Sequence, residues 1–535
     1  MLNFICDSEI DPIIRYRAAH NNFMEKSKSR AVITVVVITA FITTFTGSAL
    51  NMSIPEIGRE FNVSAASAGW LITGYTLSVA AFSVPLGRLA DITSRRKILI
   101  AGISVFVICC IAATFSVSPA MLMISRIAQG VGAAMIFSTN TAVLISSFPE
   151  SMRGKVLGYS IAATYVGLSA GPVIGGLLNY HFGWRSIFVL TGSLGIISFF
   201  AALFKLPREN EDKLKPENED KLKMKQKVCY KVERNLRHGI DSEEWNKVNF
   251  RVQHEGSSRK KARAAGGNEA SKYERFDLPG NILYALFIVM LMYGLSEVGR
   301  GYAPLISAFA GIGFGLIFVL REMKAAYPVV DISLFRKNAG YACSNVSALL
   351  NYGATFAISY LISIYLQVVM GYSSQAAGLI MICQPAIMAG LSPVTGRISD
   401  KFSPFKISSL GMAFCAVGIF IFIFLGTDTH LALVIAALVV TGFGFSLFSS
   451  PNANAVMSCV KETDYGVASS ILATMRSIGN TLSMVIVTAI VNGYMGSIPL
   501  ADAPVGVLIK VMRISFSVFT GICAAGVFIS LKHKE

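Results

Sequence analysis

The sequence predicts an all-α polytopic membrane protein with fourteen transmembrane helices, two six-helix halves and two extra central helices. Three observations predict it. Hydrophobic residues make up 53% of the 535 positions and charged residues 15%, whereas soluble domains carry roughly 25% charge. Too few charges remain to coat the several soluble domains that such a length otherwise implies. The apolar residues come in runs of about 20, the helix length that crosses a hydrocarbon core about 30 Å thick. A short motif also recurs at the ends of two distant runs, as Gly87-Arg-Leu-Ala-Asp91 and Gly396-Arg-Ile-Ser-Asp400.

The spans fall near 31–52, 67–87, 98–117, 120–144, 155–178 and 186–206, then 278–297 and 302–321. The rest fall near 339–368, 374–395, 406–426, 430–450, 465–492 and 508–531. Helices are the expected form, because lipid offers no partner to a free backbone amide. Residues 1–30 are too polar for a cleaved signal peptide and read as a cytoplasmic tail. Outside the long insert, tails and loops on the N-terminal side carry about four times as many Lys and Arg as the other side. That other side holds only Arg59, Arg185, Arg300, Lys510 and Arg513. Both termini are therefore expected in the cytoplasm of a plasma-membrane protein. The net charge of +16 reads mostly as this topology signal, and no folded basic surface for nucleic acid is seen.

The expected organisation is a tail over 1–30, a half over 31–206, a polar linker over 207–276, two extra helices over 277–337, a second half over 338–531 and a C-terminus over 532–535. The linker holds a tandem, 209–215 and 217–223, whose eight-residue step keeps no helical face. Mixed charge and few apolar residues suggest a solvated cytosolic segment. A regulatory or lipid-facing role for Arg259, Lys260, Lys261 and Arg263 is the weaker reading.

The recurring motif makes 31–206 and 338–531 repeats, and repeated halves with a substrate site at their interface are a transporter architecture. Asp91 lies beside Arg95, Arg96 and Lys97 at a helix end, where it can pair with a cation or cap a helix. Gly87, Asp91, Arg95, Arg96, Gly396 and Asp400 are the gating-loop candidates. Gly167, Gly171 and Gly175 recur every four residues, with Gly176 adjacent, and form a stripe for close helix contact. Pro172 removes a helix hydrogen bond and bends that span. Arg126 lies about 9 Å into span 4 and Arg476 about 16 Å into span 13. A buried arginine is expensive in a bilayer and reads as functional by default. Glu297 sits at the outer end of span 7, and no acid occupies the middle of any span. The neutral polar residues Thr46, Asn51, Tyr75, Asn140, Asn351, Tyr352, Gln384, Asn452 and Asn454 are the cavity candidates, suiting an amphipathic organic solute.

Nine scattered cysteines without C-x-x-C spacing, and six histidines outside the apolar runs, suggest no metal site. Neither a phosphate-binding G-x-x-x-x-G-K-[ST] loop nor an enzyme signature is found. No enzymatic activity or cofactor is expected, and energy would come from an ion or solute gradient.

These residues resemble the major facilitator superfamily over nearly the whole chain outside 1–30 and 207–276. Gly87 to Lys97 is similar to the loop 2–3 signature, with Ser94 where a glycine is usual. Arg126, Gln129, Gly130 and Gly132 resemble the span-4 signature, whose arginine the family implicates in proton coupling. Gly167, Gly171, Pro172, Gly175 and Gly176 resemble the antiporter motif of drug exporters. Fourteen spans, Phe276-Asp-Leu-Pro-Gly280 and Arg476-Ser-Ile-Gly479 are similar to the multidrug, drug:proton antiporter branch. In that branch span 1 often carries an acid before N-x-x-L-P; here Thr46 stands at its place. Glu297, Asp91 or Arg126 with a neighbour could then serve coupling, with Arg476 a further candidate, or the substrate is neutral or anionic. The resemblance implies proton-coupled export of small organic compounds across the bilayer. A metabolite facilitator or symporter, or a sensor signalling through 207–276, are the alternatives.

Overall fold

A computed structural model describes residues 30–206 apart from 149, 277–325, and 335–531 apart from 337, 400, 461–464, 497 and 500–501. The expected linker, the expected tails except Arg30, and Asp400 lie outside the described residues. Nearly everything described is helical, and among the described residues thirteen helices are long and apolar enough to cross a membrane. A further helix of 33 residues, Glu150–Phe182, stands where the fifth span is expected.

The first half comprises α1 (Arg30–Met52), a short α2 (Ile54–Glu60), α3 (Ala65–Ile92), α4 (Arg95–Thr114), α5 (Pro119–Ser147), α6 (Glu150–Phe182) and α7 (Arg185–Lys205). Serines start three of these helices: Ser64, Ser94 and Ser118 each accept a hydrogen bond from the amide three residues on, which satisfies one of the free amides at a helix start. Ser94 is the residue that replaces the usual glycine of the loop signature, and as a cap it begins α4. Two extra helices follow, α8 (Leu278–Ser296) and α9 (Tyr302–Glu322). Asp277 caps α8 through the Gly280 amide and pairs with Arg321 at 2.8 Å, tying the start of α8 to the end of α9.

The second half comprises α10 (Ala339–Thr355), α11 (Ile358–Ile364), α12 (Ser374–Met381), α13 (Cys383–Ser399), α14 (Pro404–Phe422), α15 (Leu431–Ser458), α16 (Tyr465–Met495) and α17 (Val505–Leu531). Its first span is broken: α10 stops, α11 restarts, and a π turn over Tyr365–Val369 follows. The break leaves the Ala357 amide free, and the Ser483 hydroxyl accepts from it at 3.0 Å. Lipid could not satisfy that amide, so an irregular backbone survives here only because α16 supplies the partner.

The repeat is visible in packing. A Cβ on Gly132 of α5 would lie 2.8 Å from the Phe106 amide of α4, and one on Gly444 of α15 would lie 2.5 Å from the Cys415 amide of α14. Corresponding pairs in the two halves thus pack backbone to backbone. Lipid tails are as apolar as the side chains, so close van der Waals contact is what holds such pairs together.

Candidate functional site

Arg126 is the largest charged side chain buried in the first half, with none of its surface exposed. The proline-led, serine-capped start of α5 sets its depth. Its Nε donates to the Leu71 carbonyl at 3.2 Å, its Nη1 donates to Gln129 Oε1, and its guanidinium lies 4.3 Å from the centre of the Tyr75 ring. Tyr75 donates its hydroxyl to the Thr43 carbonyl at 3.0 Å, and Gln129 donates Nε2 to Cys110 Sγ at 3.0 Å. Cys110 and the Thr191 hydroxyl are 3.6 Å apart. One chain of contacts therefore joins α1, α3, α4, α5 and α7 around a single cation. No carboxylate joins it among the described residues, and Nη2 has no hydrogen-bond partner there. An arginine at mid-bilayer costs about 3 kcal/mol or more, and a desolvated ring stack returns about 2 kcal/mol.

Arg476 in α16 is partly exposed, and its guanidinium lies 5.5 Å from the centre of the Tyr352 ring of α10. Gly479 makes this possible, since a Cβ there would meet the Leu349 carbonyl at 2.6 Å and the Gly353 amide at 3.1 Å. Ser449 of α15 lies 3.3 Å from the Tyr352 hydroxyl and 2.6 Å from that of Tyr165 in α6. This second cluster therefore spans both halves.

The glycine stripe of α6 divides its work. Gly167, Gly171 and Gly175 rest on α1: Gly167 abuts Thr44, a Cβ on Gly171 would lie 2.5 Å from Ser48 Cβ, and one on Gly175 would lie 2.7 Å from Ala49 Cβ. Pro172 and Gly176 face α12 of the other half instead. A Cβ on Gly176 would strike the Ser374 carbonyl, and one on Gly378 would strike the Pro172 carbonyl. Hydrogen bonds reinforce the seam: Ser374 donates to the Gly176 carbonyl at 3.2 Å, and Ser363 to the Asn51 carbonyl at 2.7 Å. The Thr73 and Thr488 hydroxyls, 3.3 Å apart, continue it. The halves are thus tightly joined on the face where α1 and α6 end and α3 and α12 begin.

Glu297 is buried, just beyond α8. It accepts from Trp70 Nε1 of α3 at 2.6 Å and pairs with Arg300 at 3.1 Å, while Asn492 of α16 donates to the neighbouring Ser296 carbonyl at 2.9 Å. On the same face, outside the spans, Glu60 takes both Arg185, at 2.7 Å, and Trp184 Nε1, also at 2.7 Å. The hydrogen bond from Arg185, against a smaller effect of burial and with help from Trp184, holds the Glu60 carboxyl below its ordinary range.

The remaining candidates are scattered. Asp91 pairs with Arg95 four residues on, at 2.8 Å, so this contact ties α3 to α4 within one half and does not reach the other. Arg96 donates to the Leu203 carbonyl at 2.7 Å, again within the half. Gly87 faces Ser138, and Gly396 faces Ser450. Thr46 is buried and returns its hydroxyl to the Ile42 carbonyl at 2.7 Å; Asn140 binds Thr39 at 3.0 Å. Asn51, Asn351 and Asn452 are buried, Gln384 is partly buried with its backbone against Gly442, and Asn454 donates to Ser399 Oγ at 3.2 Å. Trp70, Tyr165, Ser449 and Cys110 are site members that the sequence reading missed. A groove of about 530 Å³ between α1, α6 and α7 is lined by residues such as Ile33, Phe41, Val166 and Leu194, and it contains neither arginine.

Two repeated bundles of membrane helices, joined at a seam that carries polar and cationic groups, define a transporter of small molecules. The chain belongs to the Major Facilitator Superfamily, whose match spans residues 36–484. It is 28% identical over 451 residues to the riboflavin transporter RibZ of Clostridioides difficile, covering 84% of this chain and 86% of that one. It is 26% identical over 454 residues to the multidrug resistance protein Stp of Mycobacterium tuberculosis, covering 84% and 73%. In fold it is similar to a bacterial homolog of the human lysosomal transporter Spinster, solved inward-facing and unoccupied. That match has TM-score 0.62 and 14% identity over 94% of this chain and 96% of that one.

Proposed function

We infer that this transporter exports small organic compounds across the plasma membrane by proton antiport, with alternating access between its halves and both termini in the cytoplasm. The bias of Lys and Arg supports the orientation. Relatives named for multidrug resistance support export. One observation carries the coupling: of the sequence candidates, Glu297 is the acid that is both buried and bonded to another helix, through Trp70 of α3. An ionised Glu297 accepts from Trp70 of the first half through one oxygen and pairs through the other with Arg300, three residues on. Protonation ends the Arg300 ion pair and turns the charge-assisted Trp70 bond into a weaker neutral one. Arginine stays charged at any accessible pH. Arg126 therefore acts by its fixed charge, while Glu297 takes and releases the proton.

The test is efflux from cells. Cells expressing the chain should retain less of a fluorescent amphipathic dye than control cells. A protonophore should abolish the difference, and Glu297→Gln should abolish it at unchanged expression, whereas Asp91→Asn should retain efflux. Dye extrusion that ignores the protonophore would favour the second reading, a facilitator. The absence of any acid at mid-span is the observation on that side.

A further inference from the structure

Among the described residues, the middle of the transporter holds Arg126 and Arg476 and no acid. Arg126 is sealed away, but Arg476, Tyr352 and Tyr165, each within a membrane-length helix or span, are partly exposed. They converge from α16, α10 and α6, so both halves contribute to one place. The Arg476 guanidinium stands off the Tyr352 ring at 5.5 Å, and its Nε has no hydrogen-bond partner among the described residues. Phe445 stands edge-on to Tyr352, with ring centres 5.2 Å apart. Ser449 links the Tyr165 and Tyr352 hydroxyls.

We propose that Arg476, with the rings of Tyr352 and Tyr165, forms a subsite for planar aromatic compounds that carry a carboxylate. The chemistry follows from the parts. A guanidinium presents a planar fork of donors that matches a carboxylate, and a partly desolvated cation with an unpaired donor favours an anion over a cation or a neutral group. The rings offer faces for an aromatic body. Substrate cations would meet two arginines and no counter-charge among the described residues. An inside-negative membrane potential also assists outward movement of an anion. This inference rests on the export reading for the identity of its ligand, a transported compound, but binding can be measured without transport.

The experiment uses the full chain in detergent and three fluorescent probes that share one ring system. These are anthracene-9-carboxylate, anthracene-9-carboxamide and 9-(aminomethyl)anthracene, titrated by anisotropy. The carboxylate should bind at least tenfold tighter than the carboxamide, with the ammonium weakest. Arg476→Gln should bring the carboxylate-to-carboxamide ratio to within twofold. Arg476→Lys, which keeps the charge but not the fork, should give an intermediate ratio, and Tyr352→Leu should weaken all three probes. The ratio cancels any general loss of folded protein. Equal affinity for the probes, no binding of any probe, or a preference that survives Arg476→Gln and vanishes in Arg126→Gln would overturn the proposal. Carboxylate binding without passage across a vesicle membrane would leave the subsite standing and sink the export reading.

Discussion

Adding a single methyl group at Gly176 or Gly378 should unlock one face of the transporter. The structure places Gly176 against the Ser374 carbonyl and Gly378 against the Pro172 carbonyl. A Cβ at Gly176 would also lie 3.1 Å from the Ser374 carbonyl carbon, and one at Gly378 would lie 3.0 Å from that of Pro172. Neither neighbour is a flexible side chain, so the helices must part. Overpacking of this kind costs about 1–3 kcal/mol. That cost falls on the state in which α6 and α12 touch and spares a state in which they are apart. Gly176→Ala and Gly378→Ala should therefore shift the balance between closed and open forms of this face by about 5- to 150-fold. Gly167→Ala is the contrast: it strikes Thr44 of the same half, so it should lower thermal stability in both forms without moving the balance. Gly390→Ala, where nothing lies within 4 Å, is the silent control. Pulsed electron paramagnetic resonance between spin labels at Tyr180 and Tyr372, with the native cysteines replaced, reads the separation. An unchanged distance distribution in both Gly176→Ala and Gly378→Ala would refute the assignment of this seam as the seal.

Three further outcomes follow from the same geometry. Trp70→Phe deletes the 2.6 Å donor to the Glu297 carboxylate, which should lower unfolding free energy by about 1.5–3 kcal/mol, read as a fall in Tm in detergent. Tyr75→Phe removes only the hydroxyl bond to Thr43 and should cost about 1 kcal/mol; Tyr75→Ala also strips the ring from Arg126 and should cost about 2 kcal/mol more, again read by thermal unfolding. For Glu60, hydrogen bonding holds the folded pKa below the ordinary 4.5. Its stabilisation is thus present above pH 4.5 and is lost as pH falls through the lowered value. The pair is partly exposed, so the effect is about 0.2–1 kcal/mol. Glu56, raised mainly by burial, acts in the opposite sense. Glu60→Gln should therefore flatten the acid limb of the Tm–pH curve, and an unchanged acid limb would dismiss the Arg185 contact.

The helices were legible because lipid imposes one requirement on every span: apolar length. Their exact ends were not: α4 starts at Arg95, under the Ser94 cap, three residues before the expected start of that span. The break after α10 was not, because it depends on Ser483, more than a hundred residues away, to satisfy one amide. Arg126 and Arg476 stood out as charges in apolar runs. Their surroundings did not: Cys110 reads as inert packing in a sequence, yet it accepts from Gln129, and Tyr165 was hidden within the glycine stripe. The stripe itself was visible, but not that three glycines serve α1 while Gly176 serves α12. Periodicity shows which face is small, and only the fold shows what lies against it. The pairing of Asp91 was foreseen in kind, but its partner, Arg95 in the next helix of the same half, follows from the tight serine-capped turn between α3 and α4.

The central claim is coupled exchange of compound and proton, and simultaneous recording of both fluxes in proteoliposomes tests it most directly. With a pH gradient imposed, each addition of a transported compound should move protons in the opposite direction, at a fixed ratio to labelled compound. Glu297→Gln and Arg126→Ala should each abolish the proton signal. Compound that crosses at the same rate with or without the gradient, while lumenal pH stays still, would contradict the account and leave a facilitator in its place.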